Sequence, residues 1–240
     1  MTTYVLVHGA AHGGWCYGLV ARRLRAAGHE VHAPTLTGVG ERRHLVRADT
    51  DLDTHVTDVV NVLVYEDLHD VVLVGHSYGG MVITGVADRA LDRVAHLVYL
   101  DAAQPRDGES LADTTPAVHA LPEHTGIVVD GVPMILDPAN GHTYGVTDPG
   151  LGAWMLERLT PHPWKTFVQP LELRHEAEVL RIPRTSITCP DTLAREPKVI
   201  WDRTYEADNV WHIDAGHDLM LAEPDQVAEL LLRLADEERA

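Results

Sequence analysis

The sequence predicts an α/β fold in which helices flank a mostly parallel sheet of about six strands. Short apolar runs alternate with helical patterns over the first hundred residues, and the alternation returns near residue 183. Such alternation is typical of parallel sheets, because parallel neighbours need a crossover connection that is usually a helix. The run 71–74, Val-Val-Leu-Val, is apolar at every position, which is typical of a parallel strand buried on both faces.

Individual elements follow from the apolar runs and from the residues that end them. Gly9 ends the run that begins at Tyr4, and Pro34 stops the run that begins at Glu30. Gly28 lies where glycine is favoured, just beyond a helix end. The predicted order is strand 4–8, helix 15–27, strand 30–33, helix 53–66, strand 71–74, helix 77–91 and strand 94–100.

The C-terminal part of the chain carries two more predicted strands and a final helix. The strands are residues 185–189 and 210–213, and the helix begins near Pro224, since proline suits a first helical turn. Apolar residues recur along this helix at the spacing i, i+3, i+4, i+7, which predicts one stripe facing the core. The stripe consists of Val227, Leu230, Leu231 and Leu234.

The middle of the chain differs from both ends. Residues 104–182 are rich in proline, glycine and polar residues, and the strand pattern is lost there. Short helices are predicted near 152–159 and 171–180. We therefore interpret 104–182 as a helical cap inserted into a core formed by residues 1–103 and 183–240.

Composition limits the classes of partner. The 240 residues suit one domain, and the net charge of −17 argues against nucleic acid, which needs a basic surface. Apolar runs are too short to cross a bilayer, and the N-terminus lacks a signal-peptide pattern. Two cysteines form no disulfide framework. We expect a cytoplasmic protein without membrane or nucleic-acid partners, and a homodimer stays open.

The run Gly75-His76-Ser77-Tyr78-Gly79 matches the pattern G-x-S-x-G. It follows a predicted buried strand and opens a predicted helix, as a nucleophile elbow requires. Glycines two residues on either side let neighbouring backbone pass without a Cβ clash, whereas a serine that only caps a helix needs no such glycines. Ser77 is therefore the predicted nucleophile.

Two backbone amides are predicted to stabilise an oxyanion. The amide of Tyr78 follows the nucleophile at a helix N-terminus, where the helix dipole favours negative charge. The second donor is expected in the glycine-rich loop 8–15 after the first strand, and we assign it to Ala10.

The general base and its acid partner should follow the serine along the chain. His217 lies between the last predicted strand and the last helix, so we predict it as the base. Asp191 follows the strand at 185–189 and is the preferred acid, with Asp101, at the end of strand 94–100, as the alternative. The acid orients the imidazole and stabilises its protonated form.

Metal chemistry is not indicated by the spacing of ligand residues. The chain has 16 histidines but neither an HExxH run nor paired CxxC motifs. We expect no metal and no organic cofactor.

Taken together, the runs VLVHGAAHGGW, GHSYGG, VYLDA and AGHDLMLAEP resemble one subfamily of the α/β-hydrolase fold. It comprises plant methylesterases, hydroxynitrile lyases and related bacterial esterases, and the resemblance covers about residues 4–105 and 183–235. It implies Ser77 as nucleophile, His217 as base and the amides of Ala10 and Tyr78 as oxyanion hole. The family acid follows a Cys-Thr-x-Asp-like segment, which is one residue shorter here, so Asp101 stays the alternative.

Two positions separate this chain from the lyases of that subfamily. The lyases carry threonine where this chain has Gly9, and lysine immediately after the catalytic histidine, where this chain has Asp218. A negative charge at that position repels cyanide. The chain therefore resembles the esterase branch.

The expected activity is hydrolysis of a small carboxylic ester through an acyl-enzyme. Gly9, Trp154 and Met220 are predicted to contact the substrate. The same triad would also suit a thioesterase, a lactonase or a cyclase-like enzyme of a biosynthetic pathway. In a different class, the chain could be a small-ligand receptor that keeps a hydrolase triad.

Overall fold

Residues 1–237 are described by the computed structural model, with Pro116 described through its backbone alone. Residues 238–240 of the predicted core lie outside this range. The strands within it are β1 (Thr3–Val7), β2 (Glu30–His32), β3 (Val71–His76), β4 (Val94–Leu100), β5 (Ile127–Val129), β6 (Val132–Ile135), β7 (His162–Pro163), β8 (Arg184–Thr188) and β9 (Asn209–His212).

Helices connect most of these strands. They are α1 (Gly18–Ala26), α2 (Leu52–Tyr65), α3 (Gly79–Arg89), α4 (Leu111–Thr114), α5 (Leu121–Thr125), α6 (Pro149–Leu156), α7 (Lys165–Val168), α8 (Glu176–Val179), α9 (Pro190–Leu193), α10 (Lys198–Tyr205), α11 (Leu219–Ala222) and α12 (Pro224–Glu237). Short 3₁₀ helices cover Gly14–Tyr17, Gly40–Leu45, Pro116–Ala120 and Pro138–Asn140. Within residues 1–237 no helix is long and apolar enough to span a membrane.

The main sheet has six strands in the order β2-β1-β3-β4-β8-β9, and every neighbouring pair is parallel. This confirms the predicted fold class. Central β3 pairs with β1 and β4, so the carboxyl ends of the three strands meet at one edge. In the register, Val7 lies opposite Gly75 and Gly75 lies opposite Tyr99. Residues that follow these three positions by equal steps therefore emerge side by side.

Side chains alternate between two cores, one on each face of the sheet. Val5 and Leu73 face the core that includes α2 and α3. Tyr4 and Val72 face the core that includes α1 and α12. Full burial of one such aliphatic side chain contributes about 1.5–3 kcal/mol. Both faces of the central strands are therefore covered, which explains the uninterrupted apolar run at 71–74.

The final helix matches its predicted stripe. Pro224 is the first residue of α12, and Val227, Leu231 and Leu234 are buried in the second core. Leu230 is only half-buried beside them. The spacing rule thus identified the correct face of the helix, with one residue at its margin.

Segment 104–182 contains a sheet that the sequence analysis did not expect. Strands β5, β6 and β7 pair antiparallel, and Asp130-Gly131 forms the two-residue turn between β5 and β6. Both turn residues have positive φ, 48° and 80°, which suits a type I′ hairpin turn. The expectation of a cap without strands was therefore wrong. The Asp-Gly pair between two apolar runs was the overlooked sequence feature.

Gly80, in the first turn of α3, lies against the chain that leaves β4. A Cβ at this position would overlap the carbonyl oxygen of Ala103. Backbone cannot rotate aside as a flexible side chain can, so glycine is required by this contact. Gly18, the first residue of α1, has helical φ and ψ and open space around its Cα.

We predict opposite effects of alanine at these two glycines. Gly80→Ala should lower the free energy of unfolding by about 1–3 kcal/mol through overpacking. Gly18→Ala should leave it unchanged or raise it by about 0.4–1 kcal/mol, because it restricts the unfolded chain. Urea unfolding followed by circular dichroism measures both. Equal stabilities of the two variants would contradict the close approach at Gly80.

Candidate active site

Ser77 follows β3 directly and lies in a strained turn. Its φ is +52°, in the left-handed region that costs a non-glycine residue on the order of 1–3 kcal/mol. A Cβ on Gly75 would lie 2.6 Å from the carbonyl oxygen of Gly79, and a Cβ on Gly79 would lie 2.8 Å from that of Val7. The two flanking glycines therefore permit the tight strand–turn–helix that exposes Ser77, as in a nucleophile elbow.

A chain of two hydrogen bonds links Ser77 to a buried carboxylate. The distance from Ser77 Oγ to Nε2 of His217 is 2.9 Å. The distance from Nδ1 of His217 to Oδ2 of Asp101 is 2.6 Å. His217 lies in the loop between β9 and α11, and Asp101 follows β4 with its side chain only 4% exposed. Three separate loops thus meet at one edge of the sheet.

The carboxylate beside His217 is not that of the preferred candidate, Asp191. Asp191 lies on α9 and is exposed, whereas the carboxylate bonded to His217 is that of Asp101, the alternative. The sheet register explains this, because Ser77 and Asp101 each follow by two residues a position in the same row. Helix α9 begins directly after β8 and carries Asp191 outward. The segment after β8 instead supplies a backbone donor, the amide of Cys189, 3.0 Å from Oδ1 of Asp101.

Carboxylates around His217 favour its protonated form. Burial by itself lowers the pKa of His217, but the hydrogen bond and charge of Asp101 raise it, as do the charges of Asp218 and Glu196. The net effect raises the pKa above the ordinary value for histidine. His217 is therefore stabilised in the charged form that a general base must adopt after it accepts a proton.

The loop after β1 passes directly over Ser77. A Cβ on Gly9 would lie 3.0 Å from Cβ of Ser77, so glycine permits this approach. His8 holds the loop, because its Nε2 accepts a hydrogen bond from the amide of Leu36 at 3.0 Å. Its Nδ1–H then donates to the Gly9 carbonyl at 2.7 Å. This bond orients the Gly9–Ala10 peptide, which carries the amide predicted as an oxyanion donor.

Burial keeps His8 neutral. It lowers the pKa of the imidazole to about 3, and the hydrogen bond to Gly9 offsets only part of that shift. The hydrogen bonds of His8 require a neutral imidazole, and burial favours that same neutral state.

A second buried histidine–carboxylate pair lies beside the triad. Nε2 of His12 is 2.9 Å from Oδ2 of Asp218, and Nδ1 of His12 is 2.7 Å from the Ala10 carbonyl oxygen. Two acceptors on one ring are both satisfied when the imidazole is protonated. Burial is the largest influence and lowers the pKa of His12, but the charge and hydrogen bond of Asp218, together with the hydrogen bond to Ala10, outweigh it and raise the pKa above its ordinary value. The pair joins the loop after β1 to the loop that carries His217.

A cavity of about 220 Å³ opens at Ser77 and His217. Its apolar wall comes mainly from segment 104–182, and its polar wall comes from the ends of the strands and from residues near α9 and α10. The apolar wall includes Leu111, Val118, Leu136 and Phe167. The polar wall includes Gln104, Thr188, Thr192 and Glu196. Such a mixed lining suits a small organic ligand with a few polar groups.

The predicted contact residues do not form this lining. Met220 is fully buried in the core, and Trp154 packs on Trp15 and Arg158. Gly9 packs against His76 and Ser77 and is not among the described residues that border the cavity. Neither Trp154 nor Met220 is among the described residues that border the cavity, because sequence positions near the cap and near His217 do not specify side-chain direction.

Several residues at the site were not singled out from the sequence. His12 belongs to the glycine-rich loop 8–15, so its proximity to Ser77 could have been expected. Gln104, Tyr144 and Glu196 carry no motif, and only the folded chain brings them to the cavity. Among the described residues 1–237, no cluster of three or more His, Cys, Asp or Glu side chains could hold a metal ion.

The comparison with protein-family models assigns the chain to a family. Residues 4–230 match the model described as the Alpha/beta hydrolase family. The Carbendazim hydrolyzing esterase of Nocardioides sp. (strain SG-4G) is 38% identical to this chain, over 98% of this chain and 100% of that protein. The Pyrethroid hydrolase of Sphingobium wenxiniae is 36% identical, over 57% of this chain and 46% of that protein.

Solved structures agree with the sequence matches. The crystal structure of the methylesterase MES16 from Arabidopsis has a TM-score of 0.77 and 25% identity to this chain. The superposition covers 98% of this chain and 99% of that chain. These matches confirm the resemblance to plant methylesterases and bacterial esterases: the chain belongs to the Alpha/beta hydrolase family, as a carboxylic ester hydrolase.

Proposed function

We propose that the protein is a serine esterase that cleaves a small carboxylic ester with the triad Ser77–His217–Asp101. The observation that carries this proposal is the continuous hydrogen-bond chain from Ser77 Oγ to Asp101, with distances of 2.9 and 2.6 Å. It places a base within reach of the hydroxyl proton and an anion behind the base.

The first half of the reaction forms an acyl-enzyme. His217 takes the proton of Ser77 as Oγ attacks the ester carbonyl carbon, and the carbonyl oxygen becomes an oxyanion. The amides of Ala10 and Tyr78 stabilise that oxyanion, since one follows the held Gly9 peptide and the other begins α3. His217 then gives its proton to the leaving alcohol.

The second half releases the acid. A water molecule replaces the alcohol, His217 accepts its proton, and the resulting hydroxide attacks the acyl carbon. The second tetrahedral intermediate collapses and Ser77 regains its proton from His217. Asp101 orients the imidazole throughout and stabilises its positive charge without taking the proton.

The substrate class follows from the relatives and the cavity. The two sequence relatives are named for hydrolysis of small organic molecules. A cavity of about 220 Å³ with one apolar wall suits an ester of that size. Both cysteines, Cys16 and Cys189, are free and buried, in keeping with a reducing cytoplasm as the site of action.

Replacement of the nucleophile tests the proposal directly. Ser77→Ala should reduce hydrolysis of p-nitrophenyl acetate and butyrate by about 10⁶-fold in kcat, because no covalent intermediate can form. The wild-type rate should not change when a chelator is added. Release of p-nitrophenol measures both, and a rate that survives in Ser77→Ala would contradict the assigned nucleophile.

A matched pair of variants distinguishes the two candidate acids. Asp101→Asn should lower kcat by about 10⁴-fold, since the amide cannot stabilise the imidazolium and favours the wrong tautomer. Asp191→Asn removes an exposed carboxylate and should leave kcat unchanged. The same p-nitrophenyl assay applies, with circular dichroism to verify folding. The reverse order of the two effects would restore Asp191 as the acid.

The pH profile reports the protonation of His217. Because the base must be neutral before Ser77 attacks, kcat/KM should fall as the pH falls through the pKa of His217. Nearby carboxylates raise that pKa, so the midpoint of the acid limb should lie above about 6.5, the ordinary value. Initial rates with a non-ionising ester from acid to alkaline pH measure it. A midpoint at or below 6.5, with the fold intact over that range, would contradict this electrostatic arrangement.

A further inference from the structure

Glu196 places a carboxylate at the border of the cavity. It follows α9, is half-buried, and lines the cavity together with Thr192 and Ile200. Within the described residues, its carboxylate has neither a hydrogen-bond partner nor an ion-pair partner.

The other carboxylates of the cavity are compensated. Asp101 accepts hydrogen bonds from His217 and from the amide of Cys189. Asp218 is paired with His12 at 2.9 Å. No lysine or arginine is among the described residues that line the cavity. Glu196 is thus the one carboxylate among the described lining residues that has neither a hydrogen-bond partner nor an ion-pair partner.

Neutral polar groups on the same wall are already engaged. The side-chain amide of Gln104 donates to Ser186 at 3.0 Å, and the hydroxyl of Tyr99 bonds that of Thr84 at 2.9 Å. None of these groups carries a charge. Of these groups on the polar wall, Glu196 is therefore the one that can distinguish charged from neutral ligands.

The surroundings of Glu196 disfavour its charged form when the cavity holds no cation. Burial raises the pKa of its carboxyl, and the negative charge of Asp101 raises it further, while His217 acts in the opposite direction. A positive group on a ligand would compensate the carboxylate and recover this cost.

We propose that Glu196 makes the active-site cavity selective for esters that carry a cationic nitrogen. The nitrogen lies at Glu196 while the ester carbonyl lies at Ser77, so its charge compensates the half-buried carboxylate. Anionic esters are disfavoured by the same carboxylate, and neither lysine nor arginine is among the described lining residues to offset it. This inference rests on the proposed esterase activity and names its substrate class.

Isosteric ester pairs test the charge preference. Acetylcholine and 3,3-dimethylbutyl acetate differ by nitrogen or carbon at one position of the alcohol side. Methyl 4-(trimethylammonio)butanoate and methyl 5,5-dimethylhexanoate differ in the same way on the acyl side. Wild-type kcat/KM, measured by acid release with a pH-stat, should favour the cationic member of at least one pair by on the order of tenfold.

Glu196→Gln should bring the ratio within the preferred pair close to one, because the amide keeps the shape without the charge. Glu178→Gln makes the same change at an exposed residue of α8 and should keep the wild-type ratio. The Glu196 charge also raises the pKa of His217, so Glu196→Gln lowers that pKa. Measurements at about pH 8 keep His217 mostly neutral in both proteins, so this change does not affect the comparison.

The salt dependence of the charge preference is measured on the wild-type protein alone, so it does not depend on whether a variant folds. The wild-type preference should decrease between about 0.01 M and about 1 M salt, because salt screens charges that solvent can reach.

Choline should also inhibit hydrolysis of a neutral ester more strongly than 3,3-dimethyl-1-butanol does, if the cationic group belongs to the alcohol.

The outcomes separate this inference from the esterase proposal. Equal rates within both pairs, or a preference unchanged in Glu196→Gln, would overturn the role of Glu196 while Ser77-dependent hydrolysis of the neutral esters persists. Absence of hydrolysis of every neutral ester by the wild-type protein would instead overturn the esterase proposal.

Discussion

Parallel pairing of β3 with β1 and β4 is the constraint on which the site depends. Val7, Gly75 and Tyr99 form one row of the sheet. Gly9, Ser77 and Asp101 each lie two residues beyond a member of that row, so the register brings them together. Backbone hydrogen bonds between strands thus determine where Ser77 and Asp101 emerge. Ser77 and Asp101 both adopt positive φ, 52° and 46°, where the chain turns away from the sheet.

Nearby carboxylates determine which of the buried histidines around the site favour the protonated form. Burial, chiefly, lowers the pKa of His8 to about 3, and burial with the nearby His217 lowers that of His76 to about 4. His12 and His217 are packed in the same region, but each bonds a carboxylate, and their pKa values are raised. Neutral histidines therefore hold the loops, while the carboxylate-paired histidines are stabilised in their protonated form.

Local patterns sufficed where the function depends on local geometry. The pattern around Ser77 specifies a strand, a tight turn and a helix within five residues, and the position of His217 follows from the last strand and helix. The choice between Asp191 and Asp101 could not be made in this way. It depends on which of two strand ends lies nearer His217, and that is a property of the sheet order and of where α9 begins.

The sequence by itself determined the fold class and the family motifs, and it predicted that Ser77 and His217 meet, because these follow from periodicity and from glycines that permit close backbone approach. Only the tertiary structure decided that Asp101 bonds His217, that His12 pairs with Asp218 and that Glu196 lies at the cavity. Trp154 and Met220 show the same limit, since an apolar residue suits a core as well as a pocket. The physical reason is that side-chain direction and electrostatic environment depend on residues far apart in sequence.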